Sequence, residues 1–340
     1  MKFWKISFLL ASTAVMTLSC KKDDGEVNVK YMEGSIKLDV PAFVLPGYSQ
    51  TFPLDDLMTV TRDDGGEVGY YVTDPFTEDK DTLRTSEGQV LKDEYVLTIA
   101  DKADLGDYTL TVTSYGGGYV GRTGTADFTV VRPGLNGESS LTGFDIQPSD
   151  LTFYDPRDGR NYYYTILDDT RWMRQNLAWE GAGQPCSNSD AMSDIFGRYY
   201  TWEEAQRACP EGWRLPSDED WAKLAELYAE GGEPGTDFTG LAGDLMENVY
   251  FNGTRMWEYW SEVDVTNAAR LSVLPVGYAE IEDGEYEFSP LYEYAAFWTS
   301  DENNGSGVFR YIVERYDIVY YGEMSKTDVA FPVRCVSDVL

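Results

Sequence analysis

The first half of the chain alternates apolar and polar residues over short stretches, a pattern of period two that is typical of half-buried β-strands. Clusters of Gly and Asp, such as Asp63–Gly66, separate these stretches and indicate turns. The alternating stretches are Ile36–Val40, Tyr95–Ile99, Tyr108–Val112 and Ala126–Val131. Short strands with regularly spaced turns predict an all-β sandwich over residues 35–132.

One segment of this region has a more specific pattern. Asp104 to Leu110 reads Asp-Leu-Gly-Asp-Tyr-Thr-Leu and resembles the tyrosine corner of immunoglobulin-like domains, in which a tyrosine hydroxyl bonds back to the backbone. Leu110 stands where antibody-type domains have a cysteine, so the resemblance implies an immunoglobulin-like sandwich without the inter-sheet disulfide. We expect this domain to act as a spacer; ligand binding by its loops is the alternative.

The pattern changes between the two halves. Residues 133–140 are rich in Gly, Pro and Ser, which predicts an exposed linker over 133–150. Beyond it, Asp158-Gly159 lies between aromatic and extended residues and predicts a β-hairpin.

Two helices are predicted farther along. The first begins at Thr201 or Glu203 and ends before Pro210, and its apolar face comprises Trp202, Ala205 and Ala208. The second begins at Ser217, with Asp220 placed as in a capping box. Its core stripe comprises Trp221, Leu224, Ala225 and Tyr228. We interpret these tryptophans as core residues rather than a ligand platform.

Five motifs occur in order in the second half. They are Asp155–Gly159, Trp172–Leu177, Gly197–Trp202, Ala208–Trp221 and Val333–Val336. In this order they resemble the Fibrobacter succinogenes major paralogous domain family. The resemblance extends over residues 151–340 and implies an α+β, C-type-lectin-like domain.

The same resemblance implies a disulfide between Cys209 and Cys335. Relatives carry a further cysteine pair just before the third motif, whereas this chain has only Cys186 there. We therefore expect Cys186 to be a free thiol.

Catalytic and metal motifs of related folds are missing from the sequence. Calcium-dependent lectins use EPN or QPD with WND; Glu233-Pro-Gly235 lacks the ligating asparagine, and WND does not occur. The late segment that carries the catalytic cysteines of formylglycine-generating enzymes has no counterpart. We therefore expect no metal, no cofactor and no catalysis; an irregular calcium site among the abundant oxygen ligands is the alternative.

Composition narrows the function classes further. The chain contains no histidine, which excludes Ser-His-Asp and Cys-His nucleophile pairs and zincin motifs. Its formal charge of −32 repels nucleic acid and bare anionic lipid. Nucleic acid is therefore not an expected partner.

The amino terminus predicts export and anchoring. A basic start is followed by the apolar run Ile6–Leu18, and Thr17–Cys20 resembles the lipobox of bacterial lipoproteins. This implies a signal peptide at 1–19 and membrane attachment through lipidated Cys20. An ordinary cleaved signal with a chance cysteine is the alternative.

The residues after Cys20 refine the predicted location. Lys21–Glu26 lies in an acidic linker, 20–34, and resembles the export signal of surface lipoproteins. We expect an outer-membrane location that faces the extracellular side. A solvated spacer is the plainer interpretation of this segment.

Two aromatic stretches are candidate ligand-binding surfaces, because aromatic planes stack on sugars or anchor peptides. The candidate residues are Trp257, Tyr259, Trp260, Arg315, Tyr316, Tyr320 and Tyr321. Phe309, Tyr311 and Val313 are expected to alternate inward as one strand face, with Trp298 buried nearby. In C-type-lectin-like proteins the late strands often build the binding face.

The leading hypothesis is a non-catalytic cell-surface lipoprotein whose lectin-like domain binds an extracellular glycan or protein. A structural subunit of a surface or fimbria-like assembly is the first alternative. A carbohydrate-active enzyme with an unrecognised carboxylate pair is the second.

Overall fold

A computed structural model describes residues 29–339 of the chain, which are mostly β-sheet arranged in several sheets. The predicted signal peptide, Cys20 and most of the acidic linker lie outside the described residues. Within 29–339, no helix is both long and apolar enough to cross a membrane.

The amino-terminal region is built from short strands around one apolar core. Its elements are β1 (Lys30–Tyr31), β2 (Phe43–Val44), β3 (Ser49–Pro53), α1 (Leu54–Leu57), β4 (Gly69–Thr73), β5 (Lys80–Arg84), β6 (Glu94–Thr98), β7 (Gly106–Tyr115), β8 (Tyr119–Val120) and β9 (Thr123–Val130). The main sheet has the order β2-β9-β7-β4-β5, and β3 pairs with β6. In β7 the predicted alternation buries Leu110, Val112 and Ser114.

The hydrogen bond that the Asp104–Leu110 pattern predicts is present. The Tyr108 hydroxyl donates to the backbone oxygen of Asp104 at 3.1 Å. The Tyr108 ring stacks on Phe128 with centroids 5.9 Å apart, and Phe128 is buried in the core. Tyr108 of β7 thus contacts both the loop before β7, through its hydroxyl, and β9, through its ring.

The carboxy-terminal region contains four sheets and several short helices. Its strands are β10 (Leu141–Thr142), β11 (Leu151–Asp155), β12 (Arg160–Leu167), β13 (Thr170–Met173), β14 (Gln184–Pro185), β15 (Arg198–Tyr200), β16 (Phe238–Thr239), β17 (Tyr250–Phe251), β18 (Thr254–Arg255), β19 (Ala279–Glu282), β20 (Glu285–Phe288), β21 (Tyr294–Asn303), β22 (Ser306–Val313), β23 (Ile318–Met324), β24 (Val329–Pro332) and β25 (Val336–Asp338). Its helices are α2 (Ser193–Phe196), α3 (Trp202–Ala208), α4 (Asp218–Tyr228) and α5 (Ala242–Leu245), with 3₁₀ turns at Cys186–Asn188 and Asp190–Met192. The sheet orders are β11-β12-β13-β25, β14-β15-β24-β19-β20, β16-β23-β22-β21 and β10-β17-β18. The hairpin predicted at Asp158-Gly159 connects β11 and β12.

Both predicted helices begin with a complete capping box. At α3 the Thr201 hydroxyl accepts from the Glu204 N–H at 3.3 Å, and the Glu204 carboxylate accepts from the Thr201 N–H at 2.8 Å. At α4 the Ser217 hydroxyl accepts from the Asp220 N–H at 3.2 Å, and the Asp220 carboxylate accepts from the Ser217 N–H at 2.7 Å. Each cap satisfies backbone groups that the first helical turn leaves without partners.

The predicted disulfide is confirmed. Cys209, at the end of α3, is bonded to Cys335, just before β25, with Cα atoms 5.8 Å apart. Cys186 is buried and has no disulfide partner within the described range. The bond connects a surface helix to the last strands of the fold.

The linker expected to be exposed at 133–150 has exposed residues, but its middle part is packed against the carboxy-terminal region. Leu141 pairs with Phe251 in β17 and is 1% exposed, and Phe144 is also buried. Burial of these apolar side chains draws the segment onto the protein. The Asn252 amide also donates to the Val130 oxygen at 3.2 Å, so the two regions are joined by direct contacts.

Candidate functional site

The sheet β16-β23-β22-β21 gathers tyrosines at one of its faces. β22 and β23 are antiparallel, and Tyr311 lies directly opposite Tyr320. Because side chains of a strand alternate between faces, Tyr294 of β21 projects on the same side as both. We call the five residues Tyr278, Tyr294, Tyr311, Tyr316 and Tyr320 the tyrosine face.

The rings of the tyrosine face form a continuous set of contacts. Tyr311 and Tyr320 stack with centroids 4.9 Å apart and planes at 17°. Tyr294 also stacks on Tyr311, with centroids 5.3 Å apart. Tyr278 meets Tyr294 edge-on at 5.5 Å. Tyr316 meets Tyr320 edge-on at 6.5 Å and is 45% exposed. The other four are half-buried, so the set lies between the core and the solvent.

An aromatic layer continues the tyrosine face on the same side of the sheet, toward the core. Phe309 lies 5.4 Å from Tyr311 and 4.7 Å from Phe331. Trp298, fully buried as predicted, lies 4.4 Å from Phe331 and donates its indole N–H to the Tyr200 oxygen at 2.8 Å. Phe309 therefore connects the tyrosine face to the buried aromatic residues Phe331 and Trp298.

Burial changes the ionisation of the tyrosine face. It raises the pKa values of Tyr278, Tyr294, Tyr311 and Tyr320 above the ordinary tyrosine value. These hydroxyls therefore stay protonated at neutral pH and can donate hydrogen bonds to a ligand.

Tyr321 does not belong to this face, although the sequence groups it with Tyr316 and Tyr320. It lies on the opposite side of β23, paired with Arg310 of β22. Its hydroxyl donates to Glu323 at 2.9 Å, and burial followed by this hydrogen bond raises its pKa to about 12. The guanidinium of Arg310 lies 5.3 Å from the Tyr321 ring. Tyr321 therefore covers a buried arginine.

β22 is buried on both faces rather than on one. Arg310 and Ile312, which alternate with the residues expected to face inward, are 0% and 1% exposed. The reason is helix α4, which lies on that side: Arg310 Nε donates to Asp218 of α4 at 2.6 Å. Tyr311 was expected to be as buried as Phe309, but its side chain is only half-buried.

The other aromatic stretch does not form one surface. Trp257 is 1% exposed and donates its indole N–H to the Val273 oxygen at 2.9 Å, so it is a core residue and cannot contact a ligand. Tyr259 is 72% exposed. Trp260 is half-buried, with the Arg315 guanidinium 5.4 Å from its ring. Arg315 also pairs with Glu314 at 3.6 Å.

Sequence reasoning missed Tyr278 and Tyr294 as surface candidates. The period-two pattern of β21 indicates Tyr294, but only once the register of the hairpin is known. Tyr278 lies just before β19, next to a different sheet, and no local signal in the sequence indicates it. No group of three or more His, Cys, Asp or Glu among residues 29–339 is arranged to hold a metal ion.

Comparison with known proteins identifies a family. Residues 159–337 match the model of the Fibrobacter succinogenes major domain. No curated protein and no solved structure gives a significant match to the chain. The matched residues include the disulfide, α3, α4 and the whole tyrosine face.

Proposed function

We propose that this chain, which belongs to the Fibrobacter succinogenes major domain family, is a cell-surface protein that binds an extracellular glycan or protein without catalysis. The tyrosine face is the binding surface in this proposal. It lies entirely within the residues that define the family.

The proposed architecture has two parts and an anchor. The amino-terminal sandwich is immunoglobulin-like, an assignment supported by the Tyr108 corner and the short strands around one core. The carboxy-terminal region is C-type-lectin-like, supported by two capped helices and a long disulfide. Lipidated Cys20 attaches the protein to the outer membrane, facing outward.

One observation supports the tyrosine face above the other candidates. Of the aromatic candidates that the sequence offers, only Tyr316 and Tyr320 have rings that contact each other and reach solvent within the described chain. Tyr320 extends this pair to Tyr311 and, through it, to Tyr294. Tyrosine is favoured at recognition surfaces because its ring contributes apolar contact area and its hydroxyl a hydrogen bond. Its two side-chain torsions lose little entropy on binding.

The ring geometry indicates how a ligand would be held. Tyr311 and Tyr320 cover each other's faces, so they offer edges and hydroxyl groups. Tyr316 stands edge-on to Tyr320 and is the most exposed ring of the set. A ligand would therefore stack on Tyr316 and accept hydrogen bonds from the hydroxyls of Tyr311 and Tyr320.

An array of glycans and surface proteins tests this proposal with the soluble form that lacks residues 1–20. The double variant Tyr316→Ala/Tyr320→Ala should lose binding by at least about 100-fold, as expected for central aromatic contacts. Its melting temperature should stay near that of the parent protein, because the Phe309 layer is intact.

The matched control is the double variant Tyr250→Ala/Tyr259→Ala, which removes two exposed tyrosines outside the tyrosine face. It should bind normally. Loss of binding in the control alone would move the site to the Tyr250–Trp260 stretch. A chain that binds nothing on the array but forms polymers on size analysis would instead support the structural-subunit alternative.

A further inference from the structure

The β19–β20 hairpin continues the tyrosine face with a row of carboxylates. Tyr278 directly precedes β19, and its hydroxyl donates to Glu280 Oε1 at 3.4 Å. Because side chains two positions apart in a strand share a face, Glu280 and Glu282 project on the same side as Tyr278. Glu287 lies opposite Glu280 and Glu285 opposite Glu282, so all four glutamates share this side. We call these four glutamates the acidic row.

The acidic row has no compensating charge within the protein. All four of its side chains are exposed. In the described part of the chain, no Lys or Arg lies within ion-pair distance of any of them. The stretch 278–294 contains six acidic residues and neither lysine nor arginine. A positive charge for the acidic row must therefore come from another molecule.

The pairing of these glutamates is unfavourable for the isolated hairpin. Like charges directly opposite each other destabilise an antiparallel strand pair, and both glutamate pairs of the acidic row are of this kind. The opposite side of the hairpin holds it in place, since Ile281 and Tyr286 pack on the apolar core. A cationic side chain placed between two opposed carboxylates would turn their repulsion into attraction.

The rings of the tyrosine face also lack a cation. An aromatic ring attracts a positive charge over its face. The cation–π contacts of the protein use other rings, such as Tyr119 and Tyr321, and no Lys or Arg of residues 29–339 lies over a ring of the tyrosine face. Arg315 is next to Tyr316 in sequence, but its guanidinium lies over Trp260. Tyr316, the most exposed ring of the set, can therefore receive a cation from outside.

The charges that act on the tyrosine hydroxyls have the same sign as the acidic row. After burial, carboxylates raise the pKa values of three of these hydroxyls: Glu280 acts on Tyr278, and Asp237 acts on Tyr311 and Tyr320. The potential around the tyrosine face is therefore negative. Such a surface attracts cationic partners and repels anionic ones.

We propose that the tyrosine face and the acidic row together bind a basic segment of another protein, whose lysine or arginine side chains lie over Tyr316 and between the opposed glutamates. The proposal rests on the function proposed above and specifies the partner of that site. Backbone oxygens of the segment would accept the hydrogen bonds of the tyrosine hydroxyls. A neutral glycan brings no charge to the acidic row, and an anionic glycan is repelled by it.

Fluorescence anisotropy of the full chain in a non-ionic detergent tests the proposal with three labelled probes. They are acetylated octa-lysine, acetylated octa-glutamate and neutral maltoheptaose. Octa-lysine should bind saturably, with an affinity that falls as the salt concentration rises, and the other two probes should not bind. Absence of saturable octa-lysine binding, or tighter binding of maltoheptaose, overturns the proposal.

The triple variant Glu282→Gln/Glu285→Gln/Glu287→Gln locates the site. It should weaken octa-lysine binding by at least about threefold, because three exposed ion pairs with the probe are lost. Its melting temperature should be no lower than that of the parent protein, because the substitutions remove repulsion between the strands. Unchanged binding in this variant overturns the assignment.

A matched control removes the same charge from another exposed surface. It is the triple variant Glu226→Gln/Glu230→Gln/Glu233→Gln, on α4 and the loop that follows it. This control should bind octa-lysine nearly as the parent protein does. An equal loss of binding in the two triple variants would show only a general attraction to an acidic protein, and it would also overturn the proposal.

The double variant Tyr316→Ala/Tyr320→Ala separates this inference from the proposed function. It should weaken octa-lysine binding as well, and unchanged octa-lysine binding would overturn the combined surface. A ligand from the glycan and protein array provides the second comparison. If the double variant loses that ligand while the acidic-row variant binds it normally, the tyrosine face remains the binding surface and the basic partner is wrong.

Discussion

Gly322 of β23 determines whether the aromatic layer under the tyrosine face can form. A Cβ at this position would lie 2.4 Å and 2.5 Å from two ring carbons of Phe309. Ordinary carbon–carbon contacts lie at about 3.5–4.0 Å, so Gly322→Ala must displace the ring by about 1 Å. Phe309 packs against Phe331 and Tyr311, so the ring has no free space to enter.

Overpacking of this kind costs about 1–3 kcal/mol. We therefore expect Gly322→Ala to lower the free energy of unfolding by that amount, measured by urea denaturation with tryptophan fluorescence. The variant should also weaken ligand binding, because Tyr311 moves with Phe309.

A double-mutant cycle tests the cause. In the Phe309→Leu background the smaller side chain relieves the clash, so the added methyl group should cost less than about 1 kcal/mol. If Gly322→Ala costs the same free energy with Phe309 and with Leu at position 309, the contact with the ring is not the reason, and the argument fails.

Three further predictions concern the supporting structure. Reduction of the Cys209–Cys335 disulfide, which closes a loop of 126 residues, should lower stability by about 4–5 kcal/mol, seen as a shift of the denaturant midpoint; an unchanged midpoint would contradict this. Thr201→Ala should cost about 1 kcal/mol through loss of the α3 cap, measured by the same denaturation, and no loss would mean that the cap is dispensable. Burial raises the pKa of Asp220, but the hydrogen bond from Arg214 outweighs it and holds the folded-state pKa below the ordinary value of 3.8. The ionised carboxylate therefore stabilises the fold above that pH, and this stabilisation is lost as the pH falls through the folded-state pKa. The parent protein should be more stable than Asp220→Asn at neutral pH, and the difference in their free energies of unfolding should shrink in acid.

The features predicted correctly depend on neighbours in sequence. The capping boxes at Thr201 and Ser217 involve residues only three positions apart in sequence. The Tyr108 hydrogen bond joins residues four positions apart. The Cys209–Cys335 bond is distant in sequence, and a family resemblance rather than local chemistry predicts it.

The features that sequence did not predict depend on what covers each surface. Tyr320 and Tyr321 are adjacent in the chain and of one residue type, yet only packing of α4 decides which of them is on the open face. Trp257 lies in a stretch that looks irregular and exposed, and its burial results from contacts with Val273. The Gly- and Ser-rich neighbours of Leu141 predict a linker, because the strand that pairs with Leu141 and buries it lies about a hundred residues farther along the chain.

The disulfide also has a mechanical consequence. A pulling force that acts on the chain on both sides of the disulfide, outside the loop, passes through the covalent bond. The residues between Cys209 and Cys335 therefore do not unravel under that force. At about 3.4 Å per extended residue, the 126-residue loop corresponds to about 430 Å of contour length that does not add to the extension of the pulled chain while the disulfide is intact. The tyrosine face lies inside this loop, so a pulling force that unfolds the rest of the protein would leave its residues within a closed ring of bounded length.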